Sequence, residues 1–185
     1  MKRILLAWAL FILAAVAGKT ESNNFVSIAP EPSSYAWWLR AQFQPFEEHV
    51  RGIPIGNIRA TWCKVTEFRK DLFPPGPASD LEQNSVSFSI DGYFDGSRIR
   101  QTALIGVYET CSGQRGSFLL VLARRPGKPP EIRFLHEIPE LEFGILAVLP
   151  DSTIEVFHCM ECDHVTRFKW DKSRRRFVRL KPRDE

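Results

Sequence analysis

TALIGVYETCSGQRGSFLLVLAR, residues 102–124, holds two apolar runs rich in β-formers, TALIGVYE (102–109) and SFLLVLAR (117–124), around the turn-like segment SGQRG (112–116). Branched and aromatic residues favour strands. A parallel pair would need a crossover of a dozen or more residues, so two runs this close predict an antiparallel hairpin.

The pattern extends both ways. VSFSI (86–90) lies upstream; IRFLHEI (132–138), FGILAVL (143–149), TIEVFH (153–158), HVTRFKW (164–170) and RRFVRL (175–180) follow, joined by segments such as RPGKPP, PDS and DKSR. The expected fold is α+β but mostly β: an antiparallel meander of about eight strands, sandwich-like or propeller-blade-like, with one N-terminal amphipathic helix. That helix is predicted over 57–71, where Ile58, Trp62, Val65, Phe68 and Leu72 recur at helical spacing after Asn57, a plausible N-cap. FPPGPAS (73–79) is expected to stop it, because prolines lack the N–H and restrict the residue before them. Further upstream, Trp37, Leu39, Ala41 and Phe43 alternate with Trp38, Arg40, Gln42 and Gln44, which fits a strand, with a helix as the alternative.

The first residues read as a secretion signal. Lys2 and Arg3 precede the unbroken apolar run ILLAWALFILAAVA (4–17), shorter than the roughly 20 residues of a membrane-spanning helix, which ends in Ala15-Val16-Ala17. Cleavage is expected after Ala17, and no cysteine stands there to carry a lipid. The division is then a signal peptide at 1–17, a loosely ordered leader at 18–34 outside the core, and one mostly-β domain at 35–185. The chain is expected to be exported, periplasmic or extracellular, with no stable membrane insertion after cleavage.

Formal charge over the whole sequence is +3, of which Lys2 and Arg3 supply two. Its distribution says more: from His164 to Glu185 nine Lys or Arg face three Asp or Glu. Arg174, Arg175, Arg176, Arg179 and Lys181, together with an exposed Trp38, are the candidate binding surface for an envelope protein or an anionic envelope polymer. Nucleic acid is not an expected partner, because export removes the chain from it.

DGYFDGSRIRQTALIGVY (91–108) resembles one FG-GAP or VCBS-type repeat of integrin-like propellers, whose acidic, glycine-rich loop precedes a short apolar strand. The resemblance implies calcium on Asp91 and Asp95, although Ser97 and Gln101 stand where the repeat carries further acids. The later segment, a cysteine-containing turn followed by FKWDKSRRRF, resembles the closing hairpin of small exported bacterial proteins of unassigned function.

Four cysteines in an exported chain predict two disulfides in one of three pairings, of which Cys63 with Cys111 and Cys159 with Cys162 is the one expected. HCMECDH (158–164) also opens a metal reading, with His158, Cys159, Cys162 and His164 as ligands, and a redox-dithiol reading. Hydrolase-elbow, metalloprotease, P-loop and dinucleotide signatures are all absent from the sequence. Acid–histidine clusters at Glu47, Glu48 and His49, and around His136, Glu137, Glu140 and Glu142, are expected to be solvated surface. The functional expectation is an exported, non-catalytic binding module without a cofactor, of the inhibitor or immunity type. The alternative is a small envelope enzyme or metal/thiol protein centred on the 158–164 turn.

Overall fold

The computed structural model describes residues 25–30 and 36–181. The signal segment, its cleavage point and most of the predicted leader lie outside them. Where the leader is described it belongs to the core, contrary to expectation. Strand β1 (Val26–Ile28) pairs antiparallel with β2 (Ala41–Phe43). Phe25 is buried, its ring 5.7 Å from Phe43 and 5.9 Å from Phe68.

Residues 37–44 are only partly a strand. Trp37–Leu39 forms a single 3₁₀ turn entered through Ala36 in the left-handed region (φ 54°). The turn buries Trp37, half-buries Trp38 and leaves Leu39 75% exposed. β3 (His49–Val50) and β4 (Ile53–Pro54) make a tight hairpin, followed by a one-turn helix α1 (Ile55–Ile58).

The long helix predicted at 57–71 is not there. Beyond α1 the chain is strand β5 (Trp62–Glu67), paired with the later strand that holds Tyr108. Its ladder slips between Trp62 and Lys64, so Cys63 is an extra residue. Such a bulge puts positions three apart on one face, which is the spacing of a helix. Trp62 and Val65 accordingly face the same core. A helix does form where prolines seemed to forbid one: α2 (Pro75–Gln83). Pro75 sits at its first position and Pro77 two residues on, where the missing N–H would have had no intrahelical partner anyway.

The remaining strands are β6 (Ser89–Gly92), β7 (Gln101–Thr110), β8 (Arg115–Ala123), β9 (Glu131–Ile138), β10 (Ile145–Val148), β11 (Ile154–Phe157), β12 (Val165–Asp171) and β13 (Arg176–Arg179). Each overlaps one of the runs expected from sequence, and every pairing is antiparallel. One sheet runs β5-β7-β8-β9, with β5 and β6 sharing the outer edge of β7 end to end; the other runs β10-β11-β12-β13.

β7 from Ala103 to Tyr108 and β8 from Phe118 to Ala123 are apolar without interruption because both faces of their sheet are covered. On one face Ala103, Ile105, Val107, Leu119 and Val121 pack with Ile154, Val156, Phe168 and Phe177 of the second sheet. On the other, Leu104, Phe118, Leu120 and Leu122 pack beneath the β3–β4 hairpin, α1 and Trp62. Each such side chain contributes roughly 1.5–3 kcal/mol by leaving water. Two glycines make room for rings on this second face. Gly116 lies opposite Tyr108, whose ring carbon would be 2.7 Å from an added Cβ, and Gly106 lies opposite Phe118 at 2.9 Å. Tyr108 then stacks flat on Trp62, centroids 4.5 Å apart.

Candidate functional site

In an antiparallel meander alternate connections fall at opposite ends, and here that sorts charge. The β6–β7 loop, the β8–β9 turn and the β12–β13 turn share one end, and Arg133 ties them together. Its Nη2 donates to Asp95 in the first at 2.8 Å, and Nη1 donates to Glu131 beside the second at 2.8 Å. The guanidinium lies 6.0 Å from the Trp170 ring at the close of β12. The three connections read SRIR (97–100), RRPGK (124–128) and KSRRR (172–176), nine lysines and arginines, all exposed. Arg100, Arg125 and Arg174 pair with Asp91, Glu131 and Asp171. Arg98, Arg124, Lys128, Lys172, Arg175 and Arg176 make no ion pair among the described residues.

Beside this end, on the face covered by the β3–β4 hairpin, is a cleft of about 290 Å³ lined by Arg51, Ser89, Asp91, Arg100, Thr102 and Arg124. Arg51 and Gly52 form the hairpin tip with φ of 50° and 84°. The first is a left-handed conformation that L side chains other than Asn and Asp rarely adopt. The arginine is fixed there by buried Glu67: Nε donates to Oε2 at 2.7 Å, while Nη2 bonds both Oε1 and, at 3.2 Å, Ser89 Oγ. On the opposite wall Asp91 accepts from Thr102 Oγ1 at 2.6 Å and Arg100 Nη2 at 3.0 Å.

The residues expected to bind calcium are held separately. Asp91 faces Arg100 and Thr102, whereas Asp95 is buried in the loop, accepting from Ser97 N at 2.8 Å and from Arg133. Burial alone would raise the Asp95 pKa, but the hydrogen bonds from Ser97 and Arg133 outweigh it and hold the carboxyl below its ordinary value. Among the described residues no three His, Cys, Asp or Glu side chains gather as a metal site.

The HCMECDH turn lies at the other end. Cys159 and Cys162 are joined to each other, as are Cys63 and Cys111, with Cα–Cα distances of 5.7 and 4.9 Å. The sulfurs that zinc would need as thiolates are therefore bonded together. His158 is committed as well: Nδ1 lies 2.8 Å from Glu142 Oε2, Nε2 lies 3.0 Å from Thr166 Oγ1, and the ring stacks on His164 at 4.4 Å. Burial, above all, lowers its pKa, with His164 and Arg179 adding to the fall and Glu142 opposing it. Of the remaining acid candidates, Glu47 pairs with Arg69, Glu48 with Lys64, and Glu137 with Arg59 and the indole N–H of Trp62, while Glu140 is exposed.

Of the expected binding surface, Arg174, Arg175 and Arg176 join the basic end. Arg179 pairs in register with Phe168 on β12, and Lys181 follows exposed beyond β13. Trp38 does not join them: it packs edge-on against Trp37 at 5.9 Å, and Trp37 meets Phe143 beside the β9–β10 loop. Sequence reasoning missed Arg51, Arg100 and Arg124. The signal for the last two was the basic character of three of the four connections at this end, the β10–β11 turn with Asp151 being the exception; nothing local marked Arg51 except the Arg-Gly turn.

No family model, no curated protein and no solved structure matches this chain.

Proposed function

We propose that this protein is an exported, non-catalytic binding module of the cell envelope, of the inhibitor or immunity type, that grips an anionic partner through its basic end. The observation that carries the reading is the gathering of three basic turns, distant in sequence, on one end of a scaffold cross-linked by two disulfides. Six of the nine cations there make no ion pair among the described residues, which suits contact with a partner. Cross-links of this kind suit an oxidising compartment outside the cytoplasm, in keeping with the N-terminal signal pattern. We read the two sheets, which share one core, as sandwich-like rather than as blades of a propeller.

The test is capture from envelope extract and binding to poly-glutamate, with the processed protein and with R174Q/R175Q/R176Q. Capture of either an acidic protein or an anionic polymer, reduced at least fivefold in the triple variant, supports the reading. Equal capture by both proteins, or none by either, sinks it.

A further inference from the structure

The cleft at Arg51, Arg100 and Arg124 is built differently from the rest of the basic end. Elsewhere the cations stand on separate exposed turns, whereas here three guanidiniums from three elements converge on about 290 Å³ of space. Two of the three side chains are positioned by something other than a ligand. Arg51 is anchored by Glu67 and Ser89, which occupy its Nε and Nη2, and among the described residues nothing bonds its Nη1. Arg100 spends Nη2 on Asp91 and, among the described residues, keeps Nε and Nη1. Arg124 is held only through its backbone N–H, which donates to the Arg100 carbonyl at 3.1 Å, so its whole fork is unpaired among the described residues. Ser89 and Thr102 add hydroxyls. The lining thus carries three guanidiniums against one carboxylate, Asp91, with Glu67 behind Arg51.

Donors arriving from three directions match an acceptor with three terminal oxygens better than a planar carboxylate, which a single arginine fork would satisfy. An arginine held in a left-handed turn by a buried acid is also backbone strain of the kind that collects at ligand clamps. We infer that this cleft binds a phosphate monoester group, with Arg124 as its principal fork and Arg51 and Arg100 as preorganised flanking donors. The inference rests on reading the chain as a binding module and gives that module a specific small-ligand site.

The experiment is calorimetric titration of the processed protein, at low and then physiological ionic strength, with glycerol 3-phosphate, inorganic phosphate and succinate, alongside flotation with vesicles containing phosphatidic acid. Saturable one-to-one binding of glycerol 3-phosphate, weakened at least tenfold by Arg124→Gln and less by Arg124→Lys, supports a soluble phosphomonoester. Binding to the vesicles alone, with the same dependence on Arg124, supports the same chemistry presented on a lipid. Succinate binding as tightly as the phosphate ester overturns the phosphoryl assignment. So does an absence of saturable binding to either phosphate source, or binding indifferent to Arg124→Gln. Arg124 is exposed, so its variants should fold, and thermal melts confirm that they do. R174Q/R175Q/R176Q separates the two readings: it should cut partner capture at least fivefold while changing phosphate affinity less than twofold. Loss of one property without the other shows which reading has failed.

Discussion

The surroundings of His158 disfavour its imidazolium form. Burial removes water from the ring, His164 stacks against it, and Arg179 contributes a like charge; only Glu142 favours the imidazolium. His136, which faces Phe168 at 4.7 Å, is also lowered, first by burial, then by Arg179 and His158, with Glu137 opposing. Both folded pKa values lie below the ordinary histidine value, so the unfolded chain binds more protons as pH falls. The stability they contribute is present above about pH 6.5 and is lost on acidification through their folded pKa values. Urea midpoints should therefore drop between pH 7.5 and 5.5, and His158→Gln should flatten the slope; an unchanged slope would refute the assignment. Arg51 sets up a second contest. Glycine there would relieve the left-handed backbone by about 1 kcal/mol, but it would strand Glu67, whose side chain is only 6% exposed. Allowing for the half-exposed arginine, that loss costs about 2–3 kcal/mol. Arg51→Gly should thus destabilise the protein by about 1–2 kcal/mol in equilibrium denaturation, and a gain in stability would show that the ion pair contributes little.

At the scale of elements, β5 shows where sequence pattern misleads and why. Helical spacing of Trp62 and Val65 was real, but a bulge at Cys63 produced it, and a bulge leaves no signature in a single strand read without its partner. The prolines of α2 misled in the opposite way, since position within the first turn decides whether they break a helix. The long runs of β6–β13 were legible because period-two or continuous apolar patterns with short connections admit few alternatives. Trp37–Leu39 was not, because three residues are too few for any period to show. That the four cysteines pair was legible from their number, but three pairings were open; the structure joins Cys63 to Cys111 and Cys159 to Cys162 and adds the consequence. Cys63 is the bulged residue, so its bond to Cys111 fastens the start of β5 to the end of β7 across a sequence separation of 48. Loop-closure entropy gives that bond about 4 kcal/mol, and the Cys159–Cys162 bond only about 2. C63S/C111S should lower stability by roughly twice as much as C159S/C162S in denaturant titrations of the two double variants. Equal losses would mean that the hairpin tip is fastened by more than its local disulfide.

Across the whole molecule, charge is segregated along the strands rather than spread. The basic turns end one side of the meander, while Glu140, Glu142, Glu161 and Asp163 lie on the β9–β10 and β11–β12 connections at the other, where His158 joins the two through Glu142. This polarity follows from antiparallel topology, which sends every second connection to the same end, and it could have been read by summing charge over alternate turns. The cleft could not, because Arg51 reaches it from a hairpin that folds over the sheet from far upstream. Surface fields of this kind act over about a Debye length, roughly 10 Å at 0.1 M salt, which is shorter than the separation expected between the ends. A chain prepared without residues 1–17, whose formal charge is near zero because Lys2 and Arg3 are gone, should therefore behave as two oppositely charged surfaces. At pH 7 and low ionic strength it should be retained on both cation and anion exchangers, eluting from each with modest salt. R174Q/R175Q/R176Q should elute markedly earlier from the cation exchanger and no earlier from the anion exchanger, whereas Arg115→Gln, which removes a cation paired with Glu109 near the acidic end, should leave cation-exchange retention almost unchanged. If both variants shift cation-exchange elution equally, retention follows net charge and the end-to-end polarity has no effect at the distances at which a partner would approach.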